Sequence, residues 1–329
     1  MSTFTAKQPR EQARVESLIH RADVSASFEF FPPKSEEAAE RLYRSISELI
    51  PLEPTFVSVT YGAGGTTRRL THELVIRIRR MSGLTVVPHL TCLGCDRDEI
   101  ARIVGTYYDE GIRNILALRG DPPREPDTED RGLQFDPAEP VQGCAEVSWA
   151  FPYAADLVRF IRREFPDISI GAACYPEGHR ETPNRLLEME YLRAKVDAGV
   201  DWLVTQLFFD NREFYDFEAR CRLAGIEVPI LAGIMPITSR KGMFRMAELS
   251  PGTRFPAGLL KAIGRVADDA MVRNVGTMWA TGQVLDLLEN EVDGIHFYTL
   301  NRSKPTLEIY RSLGLADPGG LEPERASDS

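Results

Sequence analysis

The sequence predicts an α/β chain that closes into a single-domain (β/α)8 barrel of the TIM type. Three observations lead there. Short apolar, β-rich segments recur eight times, each followed by a helical pattern. The 329 residues are enough for such a barrel with insertions, and no break in composition marks a second domain. Strands alternating with helices build a parallel sheet, and a count of eight favours closure over an open doubly wound sheet.

Residues 1–24 read as a polar arm with a short helix. The first strand covers 25–31 and is stopped by Pro32-Pro33. Ser35 is placed to cap a helix over 36–49, ahead of Glu36 and Glu37. Thr55–Tyr61 is the second strand, followed by the turn Gly62-Ala63-Gly64-Gly65 and a helix over 68–81. Val86–Thr91 and a helix over 96–109 come next, then Ile115–Leu118, which runs into Arg119-Gly120-Asp121-Pro122-Pro123. Residues 122–150, rich in Pro, Asp, Glu and Gly, read as a long loop within the domain, a length that is usually functional or mobile. The rhythm resumes with a helix over 152–164, strand Ile168–Cys174, helix 184–198, strand Trp202–Phe209, helix 211–223 and strand Pro229–Ile234. Helical segments over 239–248, 256–268 and 270–289 precede the last strand, Gly294–Leu300, and a helix over 304–313. The barrel thus spans 25–315, and the polar stretch 316–329 is expected to be a disordered tail.

Composition narrows the function. A net charge of −10 argues against a nucleic-acid partner and requires any anionic ligand to be met by locally placed cations. No apolar run is long enough to span a bilayer and no secretory h-region opens the chain, so neither a membrane nor an export signal is expected. Five scattered cysteines fit a reducing cytoplasm. Cys92-Leu93-Gly94-Cys95 has no second pair at zinc-site spacing. With no metal cluster, Walker loop, H-E-x-x-H or G-x-S-x-G, redox or transfer chemistry would need an organic cofactor.

The most informative stretch is Ser27-Phe28-Glu29-Phe30-Phe31. Period-two alternation puts Ser27, Glu29 and Phe31 on one face. A carboxylate there is paired, is held protonated as a general acid requires, or faces water at a strand end. The same phasing ends seven of the eight strands in polar residues at the rim where such barrels carry chemistry: Glu29; Ser58 and Thr60; His89 and Thr91; Arg119 and Asp121; Tyr175; Gln206; His296 and Tyr298. Tyr153, Tyr175, Phe208 and Tyr298 are candidates to flank a planar ring, and Arg119, His179, Arg180 and Lys195 to meet an anion. Taken singly, Lys195 reads as a solvated helix face and Arg180 as a surface loop.

Several blocks together resemble the methylenetetrahydrofolate reductase family in its short bacterial form. They are Ser27–Pro33, Phe56–Ala63, Pro88–Cys92, Ala117–Asp121, Tyr175–His179, Lys195–Gly199, Thr205–Phe209 and His296–Arg302, in the family's order. The resemblance implies FAD-dependent reduction of 5,10-methylenetetrahydrofolate to 5-methyltetrahydrofolate, with NAD(P)H re-reducing the flavin in a ping-pong cycle, by a dimer or tetramer. It gives Glu29 as the general acid that protonates N10 of the folate, so that a cationic N5 iminium can accept hydride. Asp121 stabilises that cation and anchors the pterin, and Thr60 lies beside the transfer position. FAD is held by Tyr61, Ala63, His89, Arg119, Gly120, Asp121, Ala154, Tyr175, His179, Glu188, Tyr191, Ala194 and Lys195. Folate meets Glu29, Asp121, Gln206, Met246 and Arg302.

Departures from the family pattern are Glu188 in place of Asp, Ala194 in place of a frequently charged residue, Gly242 in place of a folate-binding Gln, Met246 in place of a stacking aromatic or aliphatic residue, and the length of loop 122–150. They leave open a folate reductase fed by a non-nicotinamide donor such as ferredoxin or a deazaflavin. A non-reducing pterin-binding methyl-transfer barrel and a non-enzymatic scaffold are the readings from other classes.

Overall fold

A computed structural model describes residues 11–22, 25–33, 35–61, 68–92, 96–120, 150–182, 184–250 and 252–315. The expected arm before residue 11, the 62–65 turn, nearly all of loop 122–150 and the 316–329 tail lie outside them, as does Cys95. In chain order the elements are α1 (Val15–Ile19), β1 (Ala26–Phe30), α2 (Glu36–Leu49), β2 (Phe56–Val59), α3 (Arg68–Ser82), β3 (Val86–Thr91), α4 (Arg97–Asp109), β4 (Asn114–Leu118), α5 (Ala154–Glu164), β5 (Ser169–Cys174), α6 (Arg185–Asp197), β6 (Trp202–Thr205), α7 (Asn211–Leu223), β7 (Ile230–Ile234), α8 (Arg240–Leu249), α9 (Ala257–Arg265), α10 (Asp269–Glu289), β8 (Gly294–Tyr298) and α11 (Ser303–Ser312). The eight strands form a closed barrel in sequence order, every pair parallel, with β8 returning to β1. This is the (β/α)8 fold the alternation predicts.

Side-chain parity divides the barrel as it divides the sequence. Outward residues such as Phe28, Phe30, Val57, Leu90, Ile170 and Phe297 join the core between sheet and helices. Inward Phe56, Val87, Leu116, Trp202, Val204 and Leu231 form a separate apolar floor that Val15 and Ile19 of α1 close from below. Asn114 holds α1 there: its Oδ1 accepts from Val15 N at 2.8 Å and its Nδ2 donates to the Ala13 carbonyl at 2.9 Å. Trp202 fits only because residue 171 is glycine, where an added Cβ would lie 2.3 Å from the indole.

Local signals set the helix starts facing the rim. Ser35 accepts from Ala38 N, Asp96 from Glu99 N, Asn184 from Leu186 N and Leu187 N, and Asp210 from Arg212 N. Three strands, β2, β6 and β8, stop two or more residues earlier at the rim than the sequence suggests. β6 stops at Thr205 because the next backbone groups are taken by side chains: Gln206 Oε1 accepts from Leu207 N, Gln283 Nε2 donates to Phe208 O, and Trp279 Nε1 donates to Phe209 O. β8 stops at Tyr298 because Leu300 and Asn301 adopt left-handed φ values of 50° and 59°.

Below the barrel, one motif occurs twice. On α5, Arg162 donates to the carbonyls of Pro166 and Ile168 and to Asp201, whose Oδ2 accepts from Ile170 N. On α7, Arg222 donates to the carbonyls of Ile226 and Val228 and to Asp293, whose Oδ2 accepts from Ile230 N. Each guanidinium thus closes the helix-to-strand turn and reaches the aspartate just before the next strand but one in the barrel wall. Removing the acid leaves an arginine and a backbone N–H without their shared acceptor. Asp201→Ala and Asp293→Ala should each destabilise the protein by roughly 2–3 kcal/mol, below the range for fully buried pairs because these keep some solvent. Denaturant titration checks this, and the two losses should add because the clamps share no residue.

Candidate active site

Glu29 is buried within the barrel mouth, 6 % exposed, so the solvated strand-end alternative does not hold. Its Oε2 lies 3.5 Å from His89 Nε2 on β3 and 3.9 Å from His296 Nε2 on β8. The ring of His296 is held on its far side by Ser27 Oγ, 2.7 Å from Nδ1, and stacks on Phe56. Burial pushes the His89 imidazole down to about 4, with the Glu29 carboxylate opposing and His296 adding to the fall. His89 is therefore neutral at pH 7. The Glu29 carbonyl accepts from Thr299 Oγ1 at 2.6 Å, and Tyr298 donates its hydroxyl to the Thr205 carbonyl at 2.6 Å. Burial, and then the Glu29 charge, raise the Tyr298 phenol far above its usual range, which keeps it a donor. A buried carboxyl group faced by two imidazoles is the arrangement general acid–base chemistry uses.

Next to this cluster, the ends of β3, β4 and β5 carry the residues expected to hold a flavin. Thr60 and Tyr61 are half-buried at the exit of β2; the Thr60 N–H donates to the Phe30 carbonyl at 2.9 Å. Arg119 pairs with Glu181 at 2.7 Å, and Gly120 takes a φ of +88°. Tyr175 packs edge-on against His179, ring centroids 4.6 Å apart. Both Glu188 oxygens accept from the His179 N–H at 2.9 Å, through a turn in which Gly178 has φ +97°. The acid is therefore committed to the loop backbone. Lys195 is not a solvated helix-face residue: its Nζ donates to the Ala173 carbonyl at 2.5 Å, and burial lowers its affinity for a proton while Cys174 and Glu188 oppose. His179 is likewise held below its usual value by burial, so it is a neutral donor and acceptor rather than one of the expected cations. Ala154 opens α5 half-buried, while Tyr153, Tyr191 and Ala194 are exposed.

On the opposite wall, Gln206 donates its N–H to the Cys174 carbonyl at 2.8 Å and is half-buried. Arg302 reaches Thr238 Oγ1 at 3.3 Å. Met246 is only 5 % exposed, within a satellite core with Leu207, Phe209, Ile237, Leu259 and Val272. Gly242 donates to Ser239 Oγ, the cap of α8, and a Cβ at 242 would lie 2.9 Å from that hydroxyl. Phe208 is fully buried and stacks on Phe214, so it flanks no ligand. Cys92 is buried and donates to the Arg119 carbonyl. Asp121 and Ala63 lie outside the described residues.

The partners of Glu29 are what sequence reasoning left out. Ser27 and His296 were each placed inward by parity, but their meeting depends on the register in which β8 closes on β1, Ser27 opposite His296 and Glu29 opposite Tyr298. Ser58 Oγ, His89 Nε2 and His296 Nε2 are buried with no hydrogen-bond partner among the described residues, polar groups that a cofactor bound in the mouth could use, and the Tyr175 ring lies against His179 at the end of β5. Among those residues no group of His, Cys, Asp or Glu could hold a metal ion, and no helix is long and apolar enough to cross a membrane.

Comparison with known proteins agrees with this geometry. A family model described as methylenetetrahydrofolate reductase matches residues 14–314. The 5,10-methylenetetrahydrofolate reductase of Escherichia coli is 38 % identical over 317 residues, covering 96 % of this chain and 99 % of its own length. Methylenetetrahydrofolate reductase (NADH) 1 of Arabidopsis thaliana is 37 % identical; the match covers 92 % of this chain but 50 % of the plant protein, so the chain spans about half its length. Among solved structures, an uncharacterized Clostridium thermocellum protein that binds two copies of 5-methyl-5,6,7,8-tetrahydrofolic acid superposes with a TM-score of 0.61 at 16 % identity, over 92 % of this chain and 98 % of that one, a likeness of fold. The chain belongs to the methylenetetrahydrofolate reductase family.

Proposed function

We propose that the chain reduces 5,10-methylenetetrahydrofolate to 5-methyltetrahydrofolate with FAD as cofactor and NAD(P)H as electron donor. The observation that carries this reading is the Glu29 carboxyl group, buried in the mouth with two imidazole nitrogens at 3.5 and 3.9 Å. Bound FAD supplies the hydride. The protein supplies the proton and the placement. Glu29 delivers its proton to N10 as the five-membered ring of the folate opens, and Ser27 fixes the His296 ring that faces the carboxyl group from β8. His89, neutral through burial, faces the acid without neutralising it. Asp121 and Thr60 act beside the reacting carbon, and Gln206 and Arg302 bind the folate. FAD lies along His89, Arg119, Gly120, Tyr175, His179 and Lys195.

A general acid contributes about 10²–10⁴-fold, and a glutamine keeps the shape without the proton. Glu29→Gln should therefore slow the folate half-reaction by about that factor while flavin reduction by NAD(P)H stays within about two-fold of wild type. Stopped-flow absorbance resolves the two halves. Full folate turnover in the variant would remove Glu29 from the role.

A second reading concerns only the donor. Gly242 offers no side chain and Met246 is buried in the satellite core, so the wall that would meet a nicotinamide differs from the family pattern. Purified protein should be yellow and should bleach anaerobically with NADH or NADPH. A yellow protein bleached by neither would point to ferredoxin or a deazaflavin, and a colourless protein that takes up no FAD would overturn the flavin reading.

A further inference from the structure

The loop that leaves β5 carries Tyr175 and His179, and it is tied down by a ring of hydrogen bonds. The Glu177 carboxyl group accepts from the Arg254 N–H, at 3.1 and 3.2 Å to its two oxygens. The Arg254 side chain reaches Glu213 on α7 at 2.6 Å, and Glu213 is also held by Arg185 of α6 at 3.0 Å. Arg185 contacts Asp216 at 3.2 Å, Asp216 contacts Arg220 at 2.9 Å, and Arg220 returns to the Pro176 carbonyl at 3.4 Å. The ring therefore begins and ends on Pro176-Glu177. It joins the loop to the first turns of α6 and α7 and to residues 252–256, which lead into α9. Inside the loop, Glu188 fixes the His179 N–H.

We propose that Glu177 is a positioning residue for the flavin site, its carboxyl group bracing the Tyr175–His179 loop against residues 252–256. The inference rests on the reading of Tyr175 and His179 as flavin contacts. Glu177 is half-buried, and burial raises its carboxyl group to about 7; Glu213 and Asp210 add to the rise, and the Arg254 N–H and charge oppose it. If the brace opens, water reaches the carboxyl group and its proton affinity falls toward that of an ordinary glutamate. The braced form thus binds the proton more tightly. Linkage then requires the brace to be firmest below the ordinary glutamate value of 4.5 and to loosen as pH rises from there through about 7. His179 does not share this titration, because burial keeps it neutral at pH 7 and above.

The test is the rate of FAD release from the holoenzyme, followed by recovery of flavin fluorescence between pH 6 and 8.5. In wild type the rate should rise about ten-fold across that range, the effect of one pKa unit of coupling. Glu177→Gln keeps an oxygen acceptor for the Arg254 N–H and cannot charge, so its rate should stay near the wild-type value at pH 6 throughout. Glu177→Ala, which removes the acceptor of the Arg254 N–H, should release FAD faster than wild type at every pH. A Glu177→Gln profile that follows the wild type, or a Glu177→Ala rate equal to it, would overturn the brace. Wild-type protein that binds no FAD would instead overturn the flavin reading on which it rests.

Discussion

The ladder that closes the barrel, β8 onto β1, is the constraint on which the site depends. It pairs Ser27 with His296 and Glu29 with Tyr298, bringing residues 269 positions apart in the chain to hydrogen-bond distance. The closure continues past the strands. Thr299 Oγ1 donates to the Glu29 carbonyl, and the Asn301 side chain both accepts from Phe31 N and donates to Phe31 O, taking the place of a further ladder step. The left-handed φ of Leu300 and Asn301 turns the chain so that this amide faces β1. A carboxyl group at 29 on an unpaired edge would face water. Closed, it meets two imidazoles and little water.

The floor explains why that arrangement holds its shape. Val15, Ile19, Phe56, Trp202 and Leu231 exclude water from below, so the polar cluster reaches solvent only through the mouth. Trp202 against Gly171 and His296 against Phe56 leave little slack beneath the acid. Close packing of this kind transmits a displacement rather than absorbing it, and the distances at Glu29 are accordingly fixed by groups that never touch a ligand.

Much of this was legible in the sequence because it is local. Period-two alternation located all eight strands and put Ser27, Glu29, His89 and His296 inward, and Ser35 announced the start of α2 through its own side chain. What was not legible is set by partners far along the chain. The apolar run 202–209 looks like one strand, but Gln283 and Trp279 of α10 take the carbonyls of Phe208 and Phe209 and end it early. His179 looks like a cation until its burial is known, and Lys195 looks solvated until its bond to the Ala173 carbonyl is seen. Glu188 has the character of a ligand-binding acid, yet it is spent on the His179 N–H. Ala63 was reachable only through the family blocks, whereas strand phasing already put Asp121 at the rim of the fourth strand.

The doubled arginine clamp gives a reason for two of the departures from the family pattern, those at Gly242 and Met246. Arg162 and Asp201 stand 39 residues apart, Arg222 and Asp293 stand 71 apart, and the extra chain in the second span is occupied by α8 and α9. This inserted pair builds a satellite core of Met243, Met246, Leu259 and Ile263 with Val272 of α10 and with Leu207, Phe209, Met235 and Ile237 of the rim. Methionine adapts to irregular space at small cost, so such a core tolerates substitution better than the floor does. Gly242 and Met246 both lie in this insertion, whereas Glu29, His89 and His296 lie on strands that the closing register holds in place. The Glu29 cluster and the 242–246 wall thus rest on separately packed parts of the molecule, and the wall can change without moving the carboxyl group.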